Sequence, residues 1–280
     1  MRYLYTLLLC LFLGNAAPAQ HTVLWKITRP NHPQVSWMIG TLHVLGESFI
    51  DSFPLIKDRL MASDLLVTEA PTNRQAILDA ISARPASDTL KSMVSPQQLD
   101  QIKEIYHRSS VDIFKLTPSE LILQLTVFYF EAGCHPASVN DKYTCDEYIQ
   151  QLARDNHKPA YFFETDSMQE KLLEDKSQNW KYFKKRVGPI LSLYKMKPMA
   201  SVCKIVWNYL AFTIDYDFDK NCTDKNIVEN RNAAWMQQLP AELDQHNCFI
   251  DVGLQHLCNS CGLIVRLRAL GYTVEPVEMR

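Results

Sequence analysis

Short β-prone runs alternate with longer helix-prone segments along this chain. The runs are rich in apolar and β-branched residues and are bounded by turn-forming residues. They cover residues 22–28, 35–40, 65–69, 159–163, 248–252 and 272–277. Pro30-Asn31-His32-Pro33 joins the first two runs and favours a hairpin. Strands that alternate with helices are typical of an α/β domain. We therefore predict an α/β fold over residues 20–280, with a central mixed β-sheet flanked by helices.

The helix-prone segments fall between these runs and predict two helical insertions, at residues 72–145 and 170–240. The stretch from residue 166 to 212 is helix-prone throughout, with breaks expected near Gly188-Pro189 and near Pro198, because proline disfavours a helix interior. The remaining predicted helices cover residues 54–62, 95–106, 117–132, 145–156, 227–239 and 262–270.

Composition restricts the class of protein. The 280 residues are 47% hydrophobic and 21% charged, which is typical of a globular protein and argues against disorder. The formal net charge is −2, so the chain has no basic field to attract nucleic acid. We expect no nucleic-acid partner.

The N-terminus has the features of a secretory signal peptide. Arg2 precedes an apolar stretch at residues 7–13, and Ala17-Pro18-Ala19 resembles a small-residue cleavage site. We therefore assign residues 1–19 to a signal peptide and predict an exported protein, periplasmic or secreted. The apolar residues 121–130 cover about half the length of a membrane span, so they predict a core helix and no integral membrane segment.

Seven cysteines remain after the predicted cleavage, and an exported protein encounters an oxidising compartment, so we expect disulfides. An odd number leaves at least one thiol free. Cys134 with Cys145 would close a short loop and is the simplest pairing to expect. Cys258 and Cys261 form a Cys-x-x-Cys pair, which is found in redox sites, zinc sites and small disulfides. Without a second such pair, we expect a disulfide between the two or with other cysteines.

Four polar residues follow predicted strands: His43, Glu69, Glu164 and His256. The two histidines end the phrases Gly-Thr-Leu-His and Gly-Leu-Gln-His, whose glycines would let the backbone turn sharply as the strand ends. Ligands of α/β sheets bind beyond the carboxyl ends of strands. Imidazoles and carboxylates together suit a divalent metal, which supports hydrolysis by activating water.

Arg231 lies in a predicted amphipathic helix and could hold a carboxylate or a developing oxyanion. Each of these residues also fits a structural role: a hydrogen-bonded core histidine, a surface acid or helix cap, or half of an ordinary ion pair. The presence of a histidine or a glutamate after four different strands favours a functional site over four separate structural roles.

The chain resembles the TraB/PrgY/GumN family, whose best-known animal relatives are the Tiki-type metalloproteases. The similarity covers nearly all of the mature chain. It is carried by residues 24–27, 38–44, 62–69, 146, 163–165, 169, 231–232, 235, 253–257, 262–263 and 270–274. The paired glycine–histidine phrases and the glutamate at position 69 are its most specific part.

This resemblance implies a divalent-metal-dependent hydrolase that uses manganese, cobalt or zinc, with a peptide or protein as substrate. His43, Glu69, Glu164 and His256 would be the metal ligands or catalytic groups, and one of the two glutamates would act as the base. Arg231 would be a further catalytic residue and Asn232 a supporting polar residue. Asp146 also matches the family pattern, but this match is less specific.

Two other functions remain open from the sequence. A non-catalytic exported protein could use the same cleft to bind a peptide, a metal or haem. A thiol–disulfide protein could use Cys258 and Cys261, which stand where relatives usually carry glycine and acidic residues. Tyr161 and Phe162 stand where a glycine is more usual, and their bulk would narrow the cleft.

Overall fold

The fold is built on one six-stranded sheet. The computed structural model describes residues 22–165, 179–196, 200–222 and 224–279, so the predicted signal peptide lies outside the described residues. The strands are β1 (Leu24–Thr28), β2 (Ser36–Thr41), β3 (Leu65–Thr68), β4 (Ala160–Phe162), β5 (Cys248–Gly253) and β6 (Thr273–Pro276). Each lies within, or within one residue of, a predicted run, which confirms the predicted strands.

Strand direction places several strand ends together. The spatial order is β4-β3-β5-β2-β1-β6. Strands β4, β3, β5 and β2 are parallel to their neighbours, whereas β1 is antiparallel to both β2 and β6. The mixed sheet and the β1–β2 hairpin are therefore confirmed. Four adjacent parallel strands end at the same edge, which we call the carboxyl edge.

Helices cover the sheet and form the two insertions, which confirms the α/β class. They are α1 (Glu47–Ser52), α2 (Pro54–Ala62), α3 (Arg74–Ala83), α4 (Thr89–Met93), α5 (Pro96–Ile105), α6 (Pro118–Cys134), α7 (Cys145–Asp155), α8 (Trp180–Leu193), α9 (Ala200–Leu210), α10 (Asn230–Trp235), α11 (Leu239–Gln245) and α12 (Leu263–Ala269). Capping boxes at Ser95, Thr117 and Thr144 fix the starts of α5, α6 and α7, because side chain and backbone satisfy each other's donors there.

The predicted break at Gly188-Pro189 is wrong, because α8 continues through both residues. Proline removes one backbone hydrogen bond, but α8 buries Phe183 and Val187 against the insertion helices. Apolar burial therefore outweighs the local preference. The break expected near Pro198 lies outside the described residues.

The single helix predicted at residues 227–239 is also wrong. The chain makes a π-helical turn at Lys225–Glu229, continues as α10, and begins a new helix at Leu239. Pro240 lies in the first turn of α11, where a missing backbone N–H costs nothing.

The side chains pack into two cores. One surrounds the sheet and includes the fully buried Trp25, Met38 and Phe249. The other lies within the helical insertions and includes Ile102 and Phe183. Helix α6 contributes to both cores, so it joins the insertions to the sheet. None of the described helices is long and apolar enough to cross a membrane.

Two disulfides join distant parts of the chain. Cys134 pairs with Cys203, and Cys222 pairs with Cys261. The predicted Cys134–Cys145 pairing is therefore wrong, and Cys258 and Cys261 are not bonded to each other. Within the described part of the chain, the free cysteines are Cys145, Cys248 and Cys258.

Candidate functional site

The four predicted site residues follow four adjacent strands at the carboxyl edge. His43 follows β2, Glu69 follows β3, Glu164 follows β4 and His256 follows β5. Backbone pairing continues past the strands, since the Glu164 amide donates to the Glu69 carbonyl at 2.8 Å. The topology therefore brings all four residues to one edge of the sheet.

Both glycines of the glycine–histidine phrases serve close packing rather than a sharp turn. Gly271 alone among the described glycines has a positive φ, of 86°. A Cβ added at Gly40 would lie 2.7 Å from Leu257 Cδ1 and 3.2 Å from Leu254 Cα. At Gly253 it would lie 3.3 Å from Glu69 Oε1. The chain turns soon after each strand, as the Leu254–Leu257 3-10 helix shows, but neither glycine adopts a positive φ there. The missing side chains let the residues around His256 approach β2 and Glu69.

Arg231 connects three of the other site residues. Its Nε and Nη2 donate to the two oxygens of Glu164 at 2.7 and 2.9 Å, and Nη2 also donates to Glu69 Oε2 at 2.6 Å. Trp235 Nε1 donates to Glu164 Oε1 at 2.9 Å. Burial disfavours the cation, but the hydrogen bonds and charges of the two glutamates outweigh it and raise the pKa of Arg231. Arg231 is therefore a fixed, partly buried cation.

Glu69 is held as a carboxylate. Its Oε1 accepts a hydrogen bond from the Gly253 amide at 2.7 Å. Burial favours the neutral acid, but the charge and hydrogen bond of Arg231, with the Gly253 amide, outweigh burial and lower the pKa of Glu69. Its environment therefore keeps this group ionised in neutral solution.

His256 is buried and neutral. Its Nε2 lies 3.1 Å from Arg231 Nη1, and its Nδ1 lies 2.6 Å from Asn232 Oδ1. The Asn232 amide nitrogen donates to the carbonyls of His256 and Cys261, which fixes its oxygen toward the ring. Because arginine only donates, Nε2 must be the acceptor and Nδ1 must carry the proton. Burial, assisted by Arg231, lowers the pKa of His256 to about 4.

His43 differs from His256 in its surroundings. Its side chain is 65% exposed, and its Nδ1 lies 3.0 Å from Asp146 Oδ1, in the first turn of α7. The charge and hydrogen bond of Asp146 raise the pKa of His43 to about 9. Burial opposes ionisation of Asp146, but the charge and hydrogen bond of His43 outweigh it and lower the pKa of Asp146. Because Asp146 engages Nδ1, Nε2 is the nitrogen of the His43 ring that remains available to a ligand.

Asp251 is a site residue that the sequence analysis missed. It lies inside β5, is fully buried, and neither of its carboxyl oxygens has a hydrogen-bond partner among the described residues. Burial, with the charges of Asp146 and Glu69, raises its pKa well above the ordinary value. The one available signal was an acid inside an otherwise apolar strand, between Ile250 and Val252.

Two cavities adjoin these residues. A cavity of about 250 Å³, which we call the small cavity, is lined by His43, Glu69, Asp146, Arg231 and Asp251, with uncharged neighbours. A cavity of about 1110 Å³, the large cavity, lies beside the insertion helices, and His43 lines both. The described linings of both cavities include neither Glu164 nor His256.

The donor chemistry of the small cavity fits a divalent cation. A carboxylate on one nitrogen of a histidine, as Asp146 is on His43, is the usual arrangement behind a metal-binding imidazole. Glu69 and the unpartnered Asp251 supply oxygen donors. Within the described residues, no three such groups are close enough to form a preformed ion site. A cation would therefore have to draw these side chains together.

The other residues singled out in the sequence lie to one side. The Tyr161 hydroxyl donates to Gln238 at 2.6 Å, and Tyr161 and Phe162 are absent from the described linings of both cavities. Phe163 stacks on Trp235 with ring centroids 5.0 Å apart. Burial raises the pKa of the Cys258 thiol to about 12, so this group is a poor source of thiolate.

The comparisons with known proteins agree with the resemblance in the sequence. No curated protein and no solved structure matches the chain. A family model described as the TraB/PrgY/gumN family matches residues 23–276, which includes all six strands and every residue of the carboxyl-edge site. The chain belongs to the TraB/PrgY/gumN family.

Proposed function

We propose that this protein is an exported, divalent-metal-dependent hydrolase that cleaves peptides. The observation that supports this most is the small cavity, which is lined by an imidazole and three acids at the carboxyl edge, beside a much larger cavity. Export is supported by two disulfides, which persist in oxidising compartments.

In this proposal His43 and Glu69 hold the cation. Asp146 accepts a hydrogen bond from Nδ1 of His43, so Nε2, once it has lost its proton, is the ligand atom. Manganese, cobalt or zinc would suit this donor set. When bound, the metal would polarise a carbonyl and lower the pKa of a water molecule.

The protein groups then have separate roles. Glu69 is kept ionised and faces the small cavity, so it serves as ligand or as the base that accepts a proton from water. Arg231 also lines the small cavity and is placed to stabilise negative charge on a peptide carbonyl.

Glu164 and His256 act through Arg231. Glu164 binds the guanidinium at both oxygens, and His256 accepts from its Nη1. We propose that these two are positioning residues, and that Asn232 fixes the tautomer of His256. For His256 to bind the metal through Nε2, it would have to release Arg231.

The large cavity supports a peptide as substrate. Its volume of about 1110 Å³ lies just above the range of roughly 300–1,000 Å³ for small-molecule sites, so it has space for several residues of an extended chain. Because His43 lines both cavities, a peptide in the large one would reach the proposed metal-binding residue.

Incubation of the mature protein with a peptide library, with and without chelator, tests the proposal. We expect chelation to abolish cleavage and manganese, cobalt or zinc to restore it. His43→Ala and His256→Ala should each reduce kcat/KM by about 100-fold or more, since the first removes a proposed metal ligand and the second removes the acceptor that positions Arg231. His246→Ala is the matched control, because His246 precedes β5 at the opposite edge of the sheet.

Cleavage that survives chelation and both substitutions would refute the metal hydrolase. Stoichiometric binding of a peptide, metal or haem without turnover would favour the non-catalytic binding protein instead. An insulin-reduction activity that is lost in Cys258→Ser would favour a thiol–disulfide protein.

A further inference from the structure

Asp251 occupies a position in which an acid is unfavourable unless it binds something. It pairs in register with Ile39 on β2 and with Thr68 on β3, at the centre of the sheet. Its exposure is 0%, and both of its oxygens lack hydrogen-bond partners in the described part of the chain. A buried polar group without a partner destabilises a fold, so an apolar residue would suit this strand better.

Asp251 lines the small cavity, together with His43, Glu69 and Asp146. Two of these three have close ionic partners, since Glu69 contacts Arg231 at 2.6 Å and Asp146 contacts His43 at 3.0 Å. Arg231 is the one lysine or arginine in the described lining of the small cavity. Asp251 forms no such ion pair in the described part of the chain, although the charge of His43 and the Thr41 hydroxyl favour its ionised form.

We propose that Asp251 is a ligand of the divalent cation, completing a set with His43 Nε2 and the Glu69 carboxylate. This inference rests on the proposed function, because it assigns a further ligand to that same cation. Two carboxylates with a single imidazole form an oxygen-rich donor set, which suits Mn²⁺ better than softer metals. A bound cation would supply the direct ionic partner that Asp251 lacks among the described residues.

Calorimetric titration of Mn²⁺ into the chelator-treated mature protein tests this assignment. Asp251→Asn keeps the size of the side chain and removes its charge, and we expect it to weaken Mn²⁺ binding by at least about tenfold, the lower end of what losing a supporting metal-site residue costs. Asp64→Asn is the control, because it removes one acid from the opposite end of the sheet, where Asp64 precedes β3. Its affinity for Mn²⁺ should equal that of the unchanged protein.

The outcomes separate the inference from the proposed function. If the unchanged protein binds Mn²⁺ and Asp251→Asn binds it equally well, the inference is overturned and the proposed function stands. If the unchanged protein binds neither Mn²⁺, Co²⁺ nor Zn²⁺, both are overturned.

A second measurement covers the case in which Asp251→Asn does not fold. Carboxyl ¹³C NMR of the unchanged protein follows the Asp251 side chain directly as Zn²⁺ is added. A shift of the Asp251 carboxyl resonance that saturates at one equivalent of Zn²⁺ supports coordination. An unchanged resonance in protein that has bound Zn²⁺ overturns it.

Discussion

Arg231 holds the carboxyl-edge site together at the scale of single residues. Its side chain is 13% exposed and contacts Glu69 and Glu164 at 2.6 and 2.7 Å. A buried ion pair adds little stability relative to apolar packing, but removal of one partner leaves an uncompensated charge. The geometry of the site therefore depends on keeping all members of this cluster.

Glu164→Gln tests that dependence. The Glu164 side chain is 4% exposed, so loss of its charge should destabilise the protein by about 3 kcal/mol, as expected when one partner of a buried ion pair is removed. The free energy of unfolding in urea measures this. Glu131→Gln is the control, because Glu131 is half-buried and forms no ion pair among the described residues. Burial and Asp141 raise the pKa of Glu131 to about 7, so we expect a much smaller loss. Equal losses in the two variants would contradict the positioning role of Glu164.

The lowered pKa of His256 makes the free energy of unfolding depend on pH. Its pKa is about 4 in the folded protein and near 6.5 when unfolded, so the unfolded state binds the proton first as pH falls. The stability from the neutral imidazole is therefore complete above pH 6.5 and is lost as pH falls toward 4. Between pH 7 and pH 5 the unchanged protein should lose about 2 kcal/mol more than His256→Asn. Parallel pH profiles of the two proteins would contradict this.

The sequence identifies most members of the site but not their arrangement. His43, Glu69, Glu164 and His256 could be predicted because each follows a strand, and parallel strands end together. Their orientations could not, because the placement of Arg231 between Glu164 and His256 depends on packing around Trp235. Asp251 was missed because a single acid in an apolar strand is too weak a signal by itself to indicate a functional site.

At the scale of elements, the strands and the capped helices follow local rules that sequence reasoning can apply. Proline at the first turn and Ser or Thr at the cap predict α5 and α6 closely. The errors arise where tertiary contacts override these rules. Burial carries α8 through Pro189, and a π-helical turn precedes the helix that bears Arg231.

Gly40→Ala tests the packing between β2 and the turn that carries His256. The added Cβ would lie 2.7 Å from Leu257 Cδ1, and Leu257 is fully buried, so we expect a loss of about 1–3 kcal/mol, as for overpacked cores. Gly188→Ala is the comparison. A Cβ at Gly188 would lie 3.7 Å from its nearest neighbour, Gln98 Nε2, so it would cause no clash. Gly188 lies inside α8, where alanine is more favourable than glycine by up to about 1 kcal/mol. Thermal unfolding of both variants measures the difference, and a neutral Gly40→Ala would contradict the account.

At the scale of the whole molecule, the sheet and the insertions have separate tasks. The sheet core fixes the carboxyl edge, and the insertion core borders the large cavity. His43 lines both cavities, so a substrate bound in the large cavity would reach the small cavity at this residue. The family match over residues 23–276 covers the sheet and both insertions.

Anomalous diffraction from crystals grown with Mn²⁺ tests the proposed metal site, because it locates the ion without reference to activity. We expect one strong peak in the small cavity, in contact with His43 Nε2 and Glu69, while Arg231 keeps its contacts to Glu164. The absence of a peak there, at a Mn²⁺ concentration that saturates hydrolysis, would contradict it.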